Sequence, residues 1–132
     1  MTTALPRLLL PVALAAALPA AAQDPLDIAC QTSAACHVEG DYIDCREDSR
    51  AFAFFDLAGD ASSDFGEKRR PAALLSDTGS YPMSVATPAP GGMMSLFTIY
   101  EDSTFVASVP GRLPNESGVH DIQVVHGTCG PR

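Results

Sequence analysis

Four cysteines, Cys30, Cys36, Cys45 and Cys129, constrain this chain more than any other feature, because they follow a leader that directs them out of a reducing cytosol. Residues 1–22 have the parts of a secretory signal: a short segment ending in Arg7, an apolar core from Leu8 to Leu18, and Ala20 and Ala22 placed for cleavage before Gln23. The apolar run falls short of the roughly 18 to 20 residues that span a bilayer. Cys30 follows Asp27, Ile28 and Ala29, not the leucine and small residues that precede a lipid-modified cysteine. The expectation is a cleaved signal peptide, 1–22, and one small β-rich domain, 23–132. That domain is exported to the periplasm or the extracellular space and has no membrane span in the mature chain.

In an oxidising compartment an even cysteine count points to two bridges, for which three pairings are open. The spacing favours Cys36 with Cys45 across a turn near Gly40, and Cys30 with Cys129 joining the ends of the domain. The runner-up pairs Cys30 with Cys36 and Cys45 with Cys129. The same spacings argue against metal and redox chemistry. There is no C-x-x-C, and no two cysteines lie at the separations of a structural zinc site. The stretch Ser33, Ala34, Ala35, Cys36, His37 differs from a haem-attachment motif by the serine in place of its first cysteine.

Removing Arg7 with the leader leaves 7 basic and 16 acidic residues, a formal charge of −9. Such a surface repels phosphate backbones, so no nucleic-acid partner is expected. The one basic cluster, Lys68, Arg69 and Arg70, reads as a solvated loop.

The C-terminal third has the clearest periodicity. Met93–Tyr100 and Thr104–Val109 flank the polar turn Glu101, Asp102, Ser103 and read as a β-hairpin, with Phe105, Ala107 and Val109 on one face of the second strand. The first strand is apolar on both faces, Met94 and Leu96 against Phe97 and Ile99, and is expected to be covered on both sides. After a proline- and glycine-rich loop, 110–118, a third strand from Val119 to Thr128 ends at Cys129. Ala51–Leu57 reads as a strand on β-propensity. Residues 71–76 suit either a helical turn or a short edge strand, and 81–92, with Pro82, Pro88, Pro90, Gly91 and Gly92, read as a loop. The expected core is Phe52, Phe54 or Phe55, Leu57, Leu96, Phe97, Ile99, Phe105, Val106, Val109, Ile122 and Val124. The fold class is mainly β: a small antiparallel β-sandwich or barrel-like domain with a C-terminal three-strand meander, stapled by disulfides.

No catalytic, metal-binding or cofactor-binding residue is assigned. His120 and His126 would share a strand face, but six residues of strand separate them by about 20 Å, too far to bind one ion together. Asp56, Asp60, Asp64 and Glu67 do not follow the EF-hand spacing, because Phe65 falls at the glycine position and Pro71 at the bidentate glutamate. The mature chain lacks G-x-S-x-G, H-E-x-x-H and S-x-x-K, so the reading leans away from an enzyme. Asn115, Glu116 and Ser117 form a glycosylation sequon.

The leading functional expectation is a binding or interaction module whose partner is an envelope or extracellular protein. It requires Tyr42, Tyr81 or Met83, Met93 and Met94 to share one exposed patch. A small-ligand or metal-binding protein using His37, His126 and nearby carboxylates is the alternative, and a small hydrolase ranks last. In size, stapled ends and cysteine-ended meander the chain resembles the small periplasmic inhibitors of C-type lysozyme. The resemblance implies a compact antiparallel barrel that inserts a loop into an enzyme's active site, and it carries over no individual residue.

Overall fold

The computed structural model describes residues 26–110 and 122–132. The chain forms β1 (Ile28–Glu39), β2 (Tyr42–Glu47), β3 (Ala51–Phe55), β4 (Ser62–Asp64), β5 (Arg70–Pro71), β6 (Ala73–Leu74), β7 (Met83–Pro88), β8 (Met94–Ile99), β9 (Thr104–Pro110) and β10 (Ile122–Pro131). All pairings are antiparallel, in the order β5-β4-β3-β1-β10-β9-β8-β7-β6, and β2 pairs with β1 off this path. The two edge strands, β5 and β6, are consecutive in sequence and separated by Ala72 alone. The backbone therefore links the two edges of the sheet, and the sheet nearly closes into a barrel. Ala72 N–H donates to the carbonyl of Ala61 at 3.0 Å, and Leu75 N–H to that of Ser84 at 2.7 Å, holding this seam on both sides.

β1 is long because it serves two partners on one side. Ile28–Gln31 pairs with β3 and Ala34–Glu39 with β2, while nearly its full length pairs with β10. The register slips between Thr32 and Ala34, placing a bulge at Ser33 where the chain changes neighbours. Beyond the β3 pairing, β2, β1, β10 and β9 thus continue together as a ribbon. Both expected disulfides are present, and each joins residues directly opposite one another: Cys30 with Cys129 and Cys36 with Cys45, with Cα atoms 4.0 and 3.9 Å apart. That closeness is the spacing of a non-hydrogen-bonded antiparallel pair.

The interior is aromatic. Phe54 and Phe105 are fully buried, with Phe52, Phe97, Met83, Val85, Ile99, Leu57 and Val125 around them. Phe52 meets Phe105 edge-on at 5.3 Å and Phe54 meets Phe97 at 5.3 Å and 75°, contacts worth about 0.5–1.5 kcal/mol each beyond area burial. Phe54 and Phe55 are both buried. Phe55 points the other way along the strand and is covered by the Arg69 guanidinium at 3.7 Å and that of Arg132 at 4.7 Å.

Several expectations need correction. β8 is covered on one face only: Ser95, Phe97 and Ile99 point inward, whereas Met94 and Leu96 are exposed. Val106 and Ile122 are also exposed and Val124 is half-buried, so β10 buries Val125 and Cys129 instead. Leu96, Val106, Ile122 and Val124 therefore leave the core. The segment expected as a loop, 81–92, contains β7, whose Met83, Val85 and Thr87 face inward. Pro82 and Pro88 bound this strand without interrupting its middle. Of the two forms open to 71–76, short edge strands are the ones adopted. The signal segment, His120, the sequon and most of the loop before β10 lie outside the described residues.

Candidate functional site

The barrel fills unevenly along its axis. At the end where β1 begins, Ile28, Leu57, Met83, Ile99 and Phe105 close the interior. At the other end, where the ribbon continues, the inward residues are smaller. Thr32, Thr87, Ser95 and Val125 stand where the larger side chains stand at the closed end, leaving an open cavity of about 410 Å³ against Phe52, Phe65 and Phe97. These three rings lie 5.2–5.7 Å apart, with Phe65 stacked on Phe52 at an interplanar angle of 22°. Phe65 belongs to the turn after β4 and is 43% exposed, so its ring forms part of the mouth and not of the core.

Two polar groups mark the cavity wall. Thr87 and Ser95 are direct partners across β7 and β8, and only 3% and 5% of their surfaces are exposed. Both line the cavity, and among the described residues neither hydroxyl makes a side-chain hydrogen bond. A hydroxyl in that position retains an O–H donor and two acceptor sites. Thr32, 6% exposed, is engaged instead. Its Oγ1 donates to the carbonyl of Arg50 at 3.1 Å and accepts from the Arg50 N–H at 2.6 Å. This clamp fixes the chain as it returns from β2 into β3, and so sets Arg50 on the rim.

Arg50, Lys68 and Arg70 border the cavity. Arg50 pairs with Asp48 at 2.7 Å and Arg70 with Glu67 at 3.0 Å, while Lys68 has no ion pair among the described residues. The Arg50 hydrogen bond, with smaller help from Thr32, holds the Asp48 carboxyl below its ordinary range against the opposing effect of burial. The basic cluster read as a solvated loop is exposed, but two of its members line this mouth and Arg69 covers Phe55. A second, separate polar recess of about 460 Å³ lies beside His37, Asp44, Arg46 and Gln123, and Arg50 lines both spaces.

The residues singled out for other chemistry do not converge. His37 pairs in register with Gln123 and His126 with Ala34, which puts the two imidazoles on opposite faces of β1 and β10. His126 Nδ1 lies 3.2 Å from the Ser33 hydroxyl, and no group of three metal-ligating side chains forms among the described residues. Asp56 accepts from the Asp60 N–H, Asp64 from the Gly66 N–H, and Glu67 holds Arg70, so each of these carboxylates serves its own turn or ion pair. Cys36 of the haem-like stretch is bonded to Cys45. The expected patch does not assemble either: Met83 is 1% exposed, Tyr42 lies at the tip of the ribbon, and Tyr81 adjoins β7 at the closed end. Sequence reading missed Phe65, Thr87 and Ser95. Only alternation within Met83–Pro88 would have exposed the inward threonine. Comparison with protein-family models, curated proteins and solved structures returns no match.

Proposed function

We propose that this protein is an exported binding domain that holds a small, largely apolar molecule in the open end of its barrel. The carrying observation is the pair of buried hydroxyls, Thr87 and Ser95, which line a cavity floored by phenylalanine rings and make no side-chain hydrogen bond among the described residues. A cavity of about 410 Å³ lies within the usual range for small-molecule sites, which combine apolar walls with a few placed polar groups. Two disulfides and the N-terminal leader support a location in the periplasm or outside the cell.

The test is binding of a neutral apolar dye, phenylnaphthylamine, to the disulfide-intact protein. Saturable one-to-one fluorescence enhancement is expected, together with a rise in melting temperature, since a ligand at a hundred times its Kd adds about 2.7 kcal/mol to the folded state. The cavity-filling substitution Ser95→Leu is expected to abolish binding while leaving the protein folded. Binding unaffected by that substitution counts against the reading.

A protein partner in the envelope or outside the cell is the second reading, and a different set of residues favours it. Ile43, Val38, Ile122, Val124, Val106, Leu96 and Met94 share the outer face of five adjacent strands, and five of them are more than 40% exposed. Contiguous apolar surface of this kind is typical of interaction sites. Leu96→Glu with Val106→Glu would abolish such docking and spare dye binding.

A further inference from the structure

The chain has 8 basic residues and a net charge of −8, yet three of its cations, Arg50, Lys68 and Arg70, border this aromatic cavity. Two acids accompany them, Asp48 on Arg50 and Glu67 on Arg70. Among the described residues, the mouth therefore has one positive charge in excess, in a chain of net negative charge. An excess cation at a cavity mouth favours anions there, against the net negative charge of the chain.

The cavity wall points the same way. Thr87 and Ser95 each offer an O–H that has no acceptor among the described residues, and hydrogen bonds from such donors to an ionised oxygen are roughly twice as strong as neutral ones. The guanidinium of Arg50 is held by Asp48 and its backbone by Thr32, so it is placed before any ligand arrives. The Phe52, Phe65 and Phe97 rings present apolar faces and no charge.

Resting on the cavity reading above, we propose that the ligand is a small amphipathic organic monoanion. Its apolar body lies on Phe52, Phe65 and Phe97. Its carboxylate-like or sulfonate-like head is held by Lys68, Arg50 and Arg70 together with the hydroxyls of Thr87 and Ser95. The single negative charge matches the single positive excess.

Two dyes with one ring system separate the charge from the cavity. Anilinonaphthalene sulfonate has the anionic head and phenylnaphthylamine lacks it. Each is titrated into the folded, disulfide-intact protein, with near-UV circular dichroism and one-to-one stoichiometry confirming a native site. The sulfonate is expected to bind about tenfold more tightly at low salt, an advantage that shrinks as salt screens the mouth. Lys68→Ala with Arg70→Ala removes the advantage and leaves the affinity for the neutral dye unchanged. A second variant, Thr87→Val with Ser95→Ala, weakens only the sulfonate and guards against misfolding of the first. Equal binding of the two dyes to the unaltered protein overturns the anion and leaves the cavity reading standing. Binding of neither dye removes the cavity reading itself. A sulfonate advantage that survives both variants places the anion elsewhere and overturns the proposal.

Discussion

Cys30 and Cys129, 99 residues apart in sequence, face each other across β1 and β10 with their Cα atoms 4.0 Å apart. The bridge ties the first long strand to the last at the centre of the sheet order, so opening it frees most of the chain. Cys36 and Cys45 close a loop of only 9 residues on the ribbon. Chain entropy alone assigns roughly 4–5 kcal/mol to the long loop and about 2.5 kcal/mol to the short one. Urea unfolding of Cys30→Ala with Cys129→Ala is expected to show the larger loss, and Cys36→Ala with Cys45→Ala the smaller. Equal losses would mean that the long bridge constrains an unfolded state that is already compact.

Gly127 is fixed by its neighbours and Gly40 by its backbone. A methyl group on Gly127 would collide with the Gln31 carbonyl oxygen and come within 2.8 Å of the Phe105 ring, whereas one on Gly40 meets nothing, although φ there is +57°. Gly127→Ala is expected to lose about 2–3 kcal/mol, the scale of an overpacked core. Gly40→Ala should lose about 1 kcal/mol from the left-handed conformation. Denaturant midpoints of the two variants check the order.

Ser63 is 1% exposed, faces Phe54 in register, and its Oγ has no hydrogen-bond partner among the described residues. An unsatisfied buried hydroxyl costs about 1–3 kcal/mol. Ser63→Ala should therefore stabilise the protein by about 1 kcal/mol, seen as a higher urea midpoint at unchanged slope.

Two carboxyls titrate below their ordinary 3.8, Asp48 through Arg50 and Asp102 through the Thr104 hydroxyl and N–H. A folded value below the unfolded one adds stability that is complete above about pH 4 and is lost as the pH falls through the folded value. Asp48→Asn is expected to flatten this acid limb of the stability profile. Thr104→Val should return the Asp102 midpoint toward 3.8 in an NMR titration. An unmoved midpoint would show that the Thr104 hydroxyl, at 2.6 Å, is not what holds it down.

The hairpin of β8 and β9 was legible because its turn is polar and because Phe105, Ala107 and Val109 alternate with more polar neighbours. The same rule misled where apolar residues occupy both faces. Along β8 and β10 the outer positions hold Met94, Leu96, Ile122 and Val124, while the inner ones include Ser95 and Gly127, so hydrophobicity alone inverts the buried face. β7 was hidden by the prolines at its borders. The turn near Gly40 and the placement of Cys30 and Cys129 at the two ends favoured the pairing that forms, although the spacings alone left three pairings open. The cavity was not, because its lining comes from several strands and depends on which barrel layer is left unfilled.

Ile28 pairs with Pro131, and the Arg132 N–H donates to the Asp27 carbonyl at 3.2 Å, so the backbone enters and leaves the barrel at one point on its closed end. From residue 26 to 132 the backbone starts and finishes on neighbouring strands, β1 and β10. A short splice from 132 to 26 would join them, and the chain could be reopened in the turn at 101–103 with every strand pairing kept. A tether, label or carrier fused after Arg132 would leave from the closed end, on the side of the barrel away from the aromatic mouth.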